Sequence, residues 1–205
     1  MSETIVWDVE FLTAPGAPQR FWCGPRDPDP VLVQIGAVRL GLTGDCALGE
    51  SFECLVIPRD RSGARYEISE FFTRLTGITA ARIAKEGLEL ADALTRFDAY
   101  TGGAPIWAWG TDELNAIAVS CYLAELRPPI PAGRFGNATR LFVAAGIPVE
   151  EVHGLRSNTL AGYFGIDQPD ARAHDALSDA RSTALALRHL LREGRLGAGD
   201  FALSA

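Results

Sequence analysis

Residues 4–11 read TIVWDVEF, and the fold turns on how this stretch is packed. Alternation puts Ile5, Trp7, Val9 and Phe11 on one side of a strand, and Val6, Asp8 and Glu10 on the other. The apolar residues around the two acids, Ile5, Val6, Trp7, Val9 and Phe11, are all β-branched or aromatic, as in a buried central strand. Asp8 and Glu10 sit badly in such a strand, since like charges side by side repel and burial penalises each of them. Oxygen-binding divalent cations would compensate them. Taken alone, however, an Asp-x-Glu pair fits the solvated face of a half-buried strand better than it fits a metal site.

Working outward, residues 13–30 form a loop with five prolines, which preclude regular structure. VLVQIGAVRLGL at 31–42 predicts a second strand and residues 50–57 a third, with Gly44 and Asp45 turning the hairpin. Together with the first strand they predict an antiparallel meander. Helical spacing follows at 68–75, 79–84 and 88–100, closed by Gly102 and Gly103. PIWAW at 105–109 predicts a fourth strand that runs at once into a helix over 112–125. A short fifth strand at 134–135 and helices at 137–145 and 159–164 come next, and a final helix covers 176–192. This mixed order predicts an α/β fold with a central mixed sheet and helices on both faces. The whole of 1–205 is expected to be one domain, with the Pro-rich loop 13–30 inserted after the first strand.

Composition narrows the function. With 47% hydrophobic residues in 205, the chain can bury a core without disulfide or zinc staples. No apolar run approaches the ~20 residues of a membrane span, and no basic-then-apolar leader opens the sequence. Nineteen basic against 26 acidic residues leave a net charge of −7, which disfavours a wide grip on duplex nucleic acid but not the handling of one strand end. Cys23, Cys46, Cys54 and Cys121 have neither zinc-finger nor scaffold spacing and read as free thiols. Cytoplasmic residence and no membrane partner are therefore expected.

Two more groups bear on chemistry. Asp112 follows PIWAW through Gly110-Thr111, at the kind of strand-to-helix corner where open sheets place ligands, although Asp is also a common N-cap. The stretch AHDALSDAR at 173–181 carries His174 ahead of the last helix and Asp179 in its first turns, with Asp175 between them as an N-cap. Five positions along a helix leave side chains ~140° apart, so His174 must belong to the loop to turn back over Asp179. Four converging acids would be untenable without metal, and two divalent ions held in this way hydrolyse phosphodiesters.

These segments, in this order, resemble those of the DEDDh 3′–5′ exonucleases, a ribonuclease H-like superfamily that includes the polymerase proofreading subunit. Asp8-Val-Glu10, Asp112, and His174 with Asp179 match its three motifs, VLVQIGAV its second strand, and SNTLAGYFGI at 157–166 the helix before the third motif. FFTRLTGIT at 71–79 is similar to the branch of the histone-mRNA 3′-end exonucleases. The resemblance implies that Asp8, Glu10, Asp112 and Asp179 bind two Mg²⁺ or Mn²⁺ ions and that His174 accepts a proton from water. It also implies that Phe11 and Leu12 seat the terminal nucleotide, although Phe11 stands where the family commonly has Thr. Gln34 stands where many members have Glu.

Trp7, Trp107 and Trp109 read as core, and His153 and His189 lack a carboxylate placed as Asp179 is. Trp22 and Arg20, with Phe21 and Arg26, give the loop at 16–26 the aromatic and cationic character of a substrate lid, or equally of a structural plug. The expected activity is 3′–5′ hydrolysis of single-stranded nucleic acid to nucleoside 5′-monophosphates, with RNA or short oligonucleotides favoured. The rival readings are a DNA-directed exonuclease, an RNase H-like endonuclease or other metal phosphohydrolase, and a non-catalytic nucleic-acid-binding module on the same fold. A homodimer is compatible with the sequence, but no segment identifies an interface.

Overall fold

The computed structural model describes residues 2–203, so Met1, Ser204 and Ala205 of the expected domain span lie outside the described residues. TIVWDVEF falls within β1 (Glu3–Phe11), and every residue from Thr4 to Glu10 is buried. β2 (Leu32–Gly41) and β3 (Leu48–Leu55) continue the chain antiparallel, as the expected meander. β4 (Ile106–Ala108) then pairs parallel to the other side of β1, and β5 (Phe135–Asn137) pairs parallel to β4. The sheet is mixed, in the order β3-β2-β1-β4-β5, with β1 at its centre.

Each row of β1 has its own core. Ile5, Trp7 and Val9 pack with Phe97 of α3 (Leu90–Thr101) and Ile117 of α4 (Asp112–Leu123). Trp7 lies 5.3 Å from the ring centres of both Phe97 and Phe135. Val6 packs on the opposite face with Ala184, Leu187 and Leu190 of α8 (Ala176–Arg192). Helices therefore cover both faces. A third cluster joins Leu12, Val31 and Ile57 to Phe72 of α1 (Glu70–Thr76) and Ile83 of α2 (Ala80–Glu86). Ser69 and Thr79 cap these two helices through their hydroxyls, which satisfies one free N-terminal donor in each.

The remaining short helices are α5 (Thr139–Ala144), α6 (Val149–Gly154) and α7 (Leu160–Tyr163). Two of these elements depart from expectation. The fifth strand reaches Asn137 and α5 starts at Thr139, because Asn137 Oδ1 accepts from both the Thr139 amide (2.9 Å) and its hydroxyl (2.7 Å). α6 has only one buried side chain, Val152, and so no apolar period from which to read it. The proline loop also contains one short 3₁₀ turn at Pro18–Arg20, where Pro occupies a first helical position that needs no N–H donor.

Candidate active site

Asp8 and Glu10 lie on the face of β1 that α8 covers, opposite Gly36 and Gln34 of β2. Gln34 is fully buried and anchors the helix to the sheet. Its Oε1 accepts from the Ala176 amide at 3.1 Å, and its Nε2 donates to Glu53 at 3.0 Å. Asp175 Oδ1 accepts from the Ser178 amide at 2.9 Å, capping α8 as its sequence predicts. One turn on, Asp179 meets the two acids of the strand. Carboxylate oxygens of Asp8, Glu10 and Asp179 lie within 4.8 Å of one another, and all three residues are buried.

Burial dominates the electrostatics. It pushes Glu10 up to about 8, reinforced by the charges of Asp179 and Asp175. Asp8 is raised well above the carboxylate range by burial, then by the charges of Glu113, Asp179 and Glu10. Asp179 rises to about 7 through burial, against the opposing pull of the His174 backbone N–H and the Ser157 hydroxyl. A carboxyl site of this kind is protonated and neutral at pH 7, or is charged and compensated.

A fourth buried acid of the pocket is Glu113, the residue after the expected Asp112. Asp112 is the first residue of α4 and is exposed at the rim of the same pocket. Glu113 is 6% exposed, its charge acts on Asp8 from close by, and burial lifts it to about 7. Adjacent helical residues point ~100° apart, so only one of the two can face β1. The sequence held a signal for this. Glu113 is spaced three and four positions before Ala116 and Ile117, the buried face of α4, whereas Asp112 is three before the exposed Asn115.

His174 belongs to the loop before α8, as the spacing requires, and its side chain is exposed and lines the pocket with Asp8, Glu10 and Asp179. Its φ of 59° is left-handed, which a residue with a Cβ adopts only under constraint from its surroundings.

The pocket, about 530 Å³, is also lined by Phe11, Trp22, Trp109 and Arg156. Phe11 and Trp22 pack with ring centres 5.5 Å apart. The structure does not bring the other two expected contacts to it. Leu12 is 3% exposed inside the third core cluster, and only its carbonyl faces the loop, accepting from Trp22 Nε1 at 3.2 Å. Arg20 is spent within the loop, donating to both oxygens of Asp27 and to the Pro15 carbonyl. Trp109, expected as core, is half-buried at the pocket edge, its ring against Phe142 at 4.7 Å.

The acids fit divalent metal. Asp179 Oδ1 and Glu113 Oε2 are buried without any hydrogen-bond partner, which is costly unless a cation takes them up. The all-oxygen donor set suits Mg²⁺ or Mn²⁺.

No family model matches the chain by sequence, and no curated protein does. Solved structures do. The nuclease domain of 3′hExo, a DEDDh family member bound to rAMP, is similar with a TM-score of 0.75 at 16% identity, over 100% of this chain and 96% of that one. A 3′-exonuclease that recognises the histone mRNA stem-loop gives 0.72 at 16% identity, over 100% of this chain and 71% of that one. Exonuclease I of E. coli in complex with a dT13 oligonucleotide gives 0.62 at 17% identity, over 93% of this chain and 41% of that one. The chain thus has the ribonuclease H-like fold of the DEDDh-family 3′ exonucleases.

Proposed function

We propose that the chain is a metal-dependent 3′–5′ exonuclease of single-stranded nucleic acid, RNA or short oligonucleotides favoured, that releases nucleoside 5′-monophosphates. The observation that carries the reading is the convergence of four buried acids from β1, α4 and α8, two of them with orphaned oxygens, on a pocket that also presents an exposed histidine. Asp8, Glu10, Glu113 and Asp179 would hold the cations, with Asp112 at the rim. Two bound divalent ions would supply an activated water and stabilise the departing oxygen. His174 takes a proton from the attacking water. Phe11 and Trp22 offer aromatic faces to the terminal nucleotide, and Arg156 offers a charge to its phosphate. We further propose that residues 1–205 act as one domain in a reducing cytoplasm, in keeping with Cys23, Cys46, Cys54 and Cys121 all being free. Among the described residues no helix is long and apolar enough to cross a membrane.

The test is incubation with 5′-labelled single-stranded RNA and DNA of one sequence with Mg²⁺ or Mn²⁺, beside Asp179→Ala. A ladder shortening from the 3′ end, absent without metal and in the variant, is the expected result, and the two strands rank RNA against DNA. Intact strands under every condition, with binding retained, would favour the non-catalytic module.

A further inference from the structure

A second groove, about 560 Å³, adjoins the acidic pocket and shares two of its walls, Trp109 and Arg156. Its far side is built from α5 and α6 and carries Arg140, His153, Val143 and Val149. The chain carries net charge −7, yet no Asp or Glu lines this groove. Among the described residues, neither Arg140 nor Arg156 makes an ion pair with a carboxylate, whereas eight of the other 17 basic side chains do. The Arg156 guanidinium uses one nitrogen on the His153 and Leu155 carbonyls, which fixes its stem and leaves its other donors open. Val143 and Val149, which line the same groove as the two arginines, are 44% and 45% exposed, an apolar surface left in the open.

Unpaired arginines that flank apolar and aromatic faces match the chemistry of a single strand, whose phosphates need cations and whose bases need flat or apolar contacts. We propose that this groove carries the nucleotides immediately upstream of the 3′ end, so that the strand enters past Arg140, crosses Trp109 and Arg156, and ends at the acids. The proposal rests on the exonuclease reading of the adjoining pocket. It would make the enzyme's affinity depend on strand length even though no separate binding domain is required for it.

The experiment measures fluorescence anisotropy of 5′-labelled strands of two to ten nucleotides on the full chain carrying Asp179→Asn, with Mg²⁺ present and salt varied. Arg140→Glu is expected to weaken binding of the ten-nucleotide strand about tenfold while leaving the dinucleotide within twofold. Arg140→Glu with Arg156→Glu is expected to lower the slope of log affinity against log salt by about 1.4, for two lost phosphate contacts. Lys85→Glu, an equal charge change on α2 lining neither cavity, should do neither. Unchanged affinity and slope in the double variant, or an Arg140→Glu loss as large on the dinucleotide as on the ten-mer, would overturn the proposal. So would a parent protein that binds no strand. If strands bind with this arginine dependence but the wild-type chain never cleaves them, the groove stands and the exonuclease reading falls.

Discussion

Gly36 of β2 lies so close beneath Leu177 of α8 that a Cβ placed on it would fall 2.1 Å from the Leu177 nitrogen. The obstructing atoms are backbone, so the helix itself would have to move. Gly36 pairs with Asp8 across the sheet, and Asp179 is two residues beyond Leu177, so the contact sets the gap between two of the proposed ligands.

Gly36→Ala is therefore expected to tilt the start of α8 off the sheet, costing ~1–3 kcal/mol of stability and more activity than that loss of folded protein explains. Thermal melting and single-turnover hydrolysis, measured below the melting transition, check both parts. Wild-type activity in a folded Gly36→Ala protein would show that α8 does not position the site.

Glu113→Gln and Asp112→Asn separate the two neighbours. Removing a ligand should cost at least the 10–100-fold typical of disturbing even a ligand's outer partners, so Glu113→Gln should lose two orders of magnitude or more. Asp112→Asn, on the exposed rim, should stay within a few fold. The reverse ranking in hydrolysis rates would restore Asp112 as the ligand.

The left-handed backbone at His174 makes its glycine variant informative. His174→Gly and His174→Ala should both lose about 10²–10⁴-fold in rate with little change in strand affinity. Only the glycine is free of the Cβ penalty, so it should melt at the higher temperature. Equal melting points would mean that the surroundings impose no strain there.

The buried acids also predict how stability follows pH. Glu10 at about 8, and Asp179 and Glu113 at about 7, all stand above the ~4 of an unfolded carboxyl. Between those limits the metal-free native state binds more protons than the unfolded chain, so stability falls as pH rises. The contribution is fully present near pH 4 and lost by about pH 8. Melts in chelator should show a higher midpoint at pH 5.5 than at pH 8. Mn²⁺ should raise the midpoint more at pH 8, where the ligands are already deprotonated. A midpoint that rises with pH in chelator would contradict the buried acid cluster.

Much of this could be read from residue order alone. β1, β2 and α8 have strong periods, and the last helix runs over the expected residues 176–192 because Asp175 caps it and its alanines allow close packing on the sheet. The Asp8, Glu10 and Asp179 cluster follows from strand alternation plus one helical turn. What escaped depends on rotation and on loop wiring. Asp112 and Glu113 are chemically alike, and only their phase about α4 tells them apart. Arg20 looks like a free cation until Asp27, seven residues later, closes on it. α6 and the groove it builds have too few buried residues to leave a pattern.

Asp8 and Glu10 stand near the start of the chain and Asp179 near its end, on the helix that closes over β1. During synthesis from the N-terminus, the early strands leave the ribosome well before residues 176–192 exist. Until then the growing chain has no Asp179, and Gly36 and Gln34 have nothing to hold. Pairing across so long a separation is also among the slower steps of folding. The cluster of Asp8, Glu10 and Asp179 would thus assemble late and all at once, only when α8 packs onto β1.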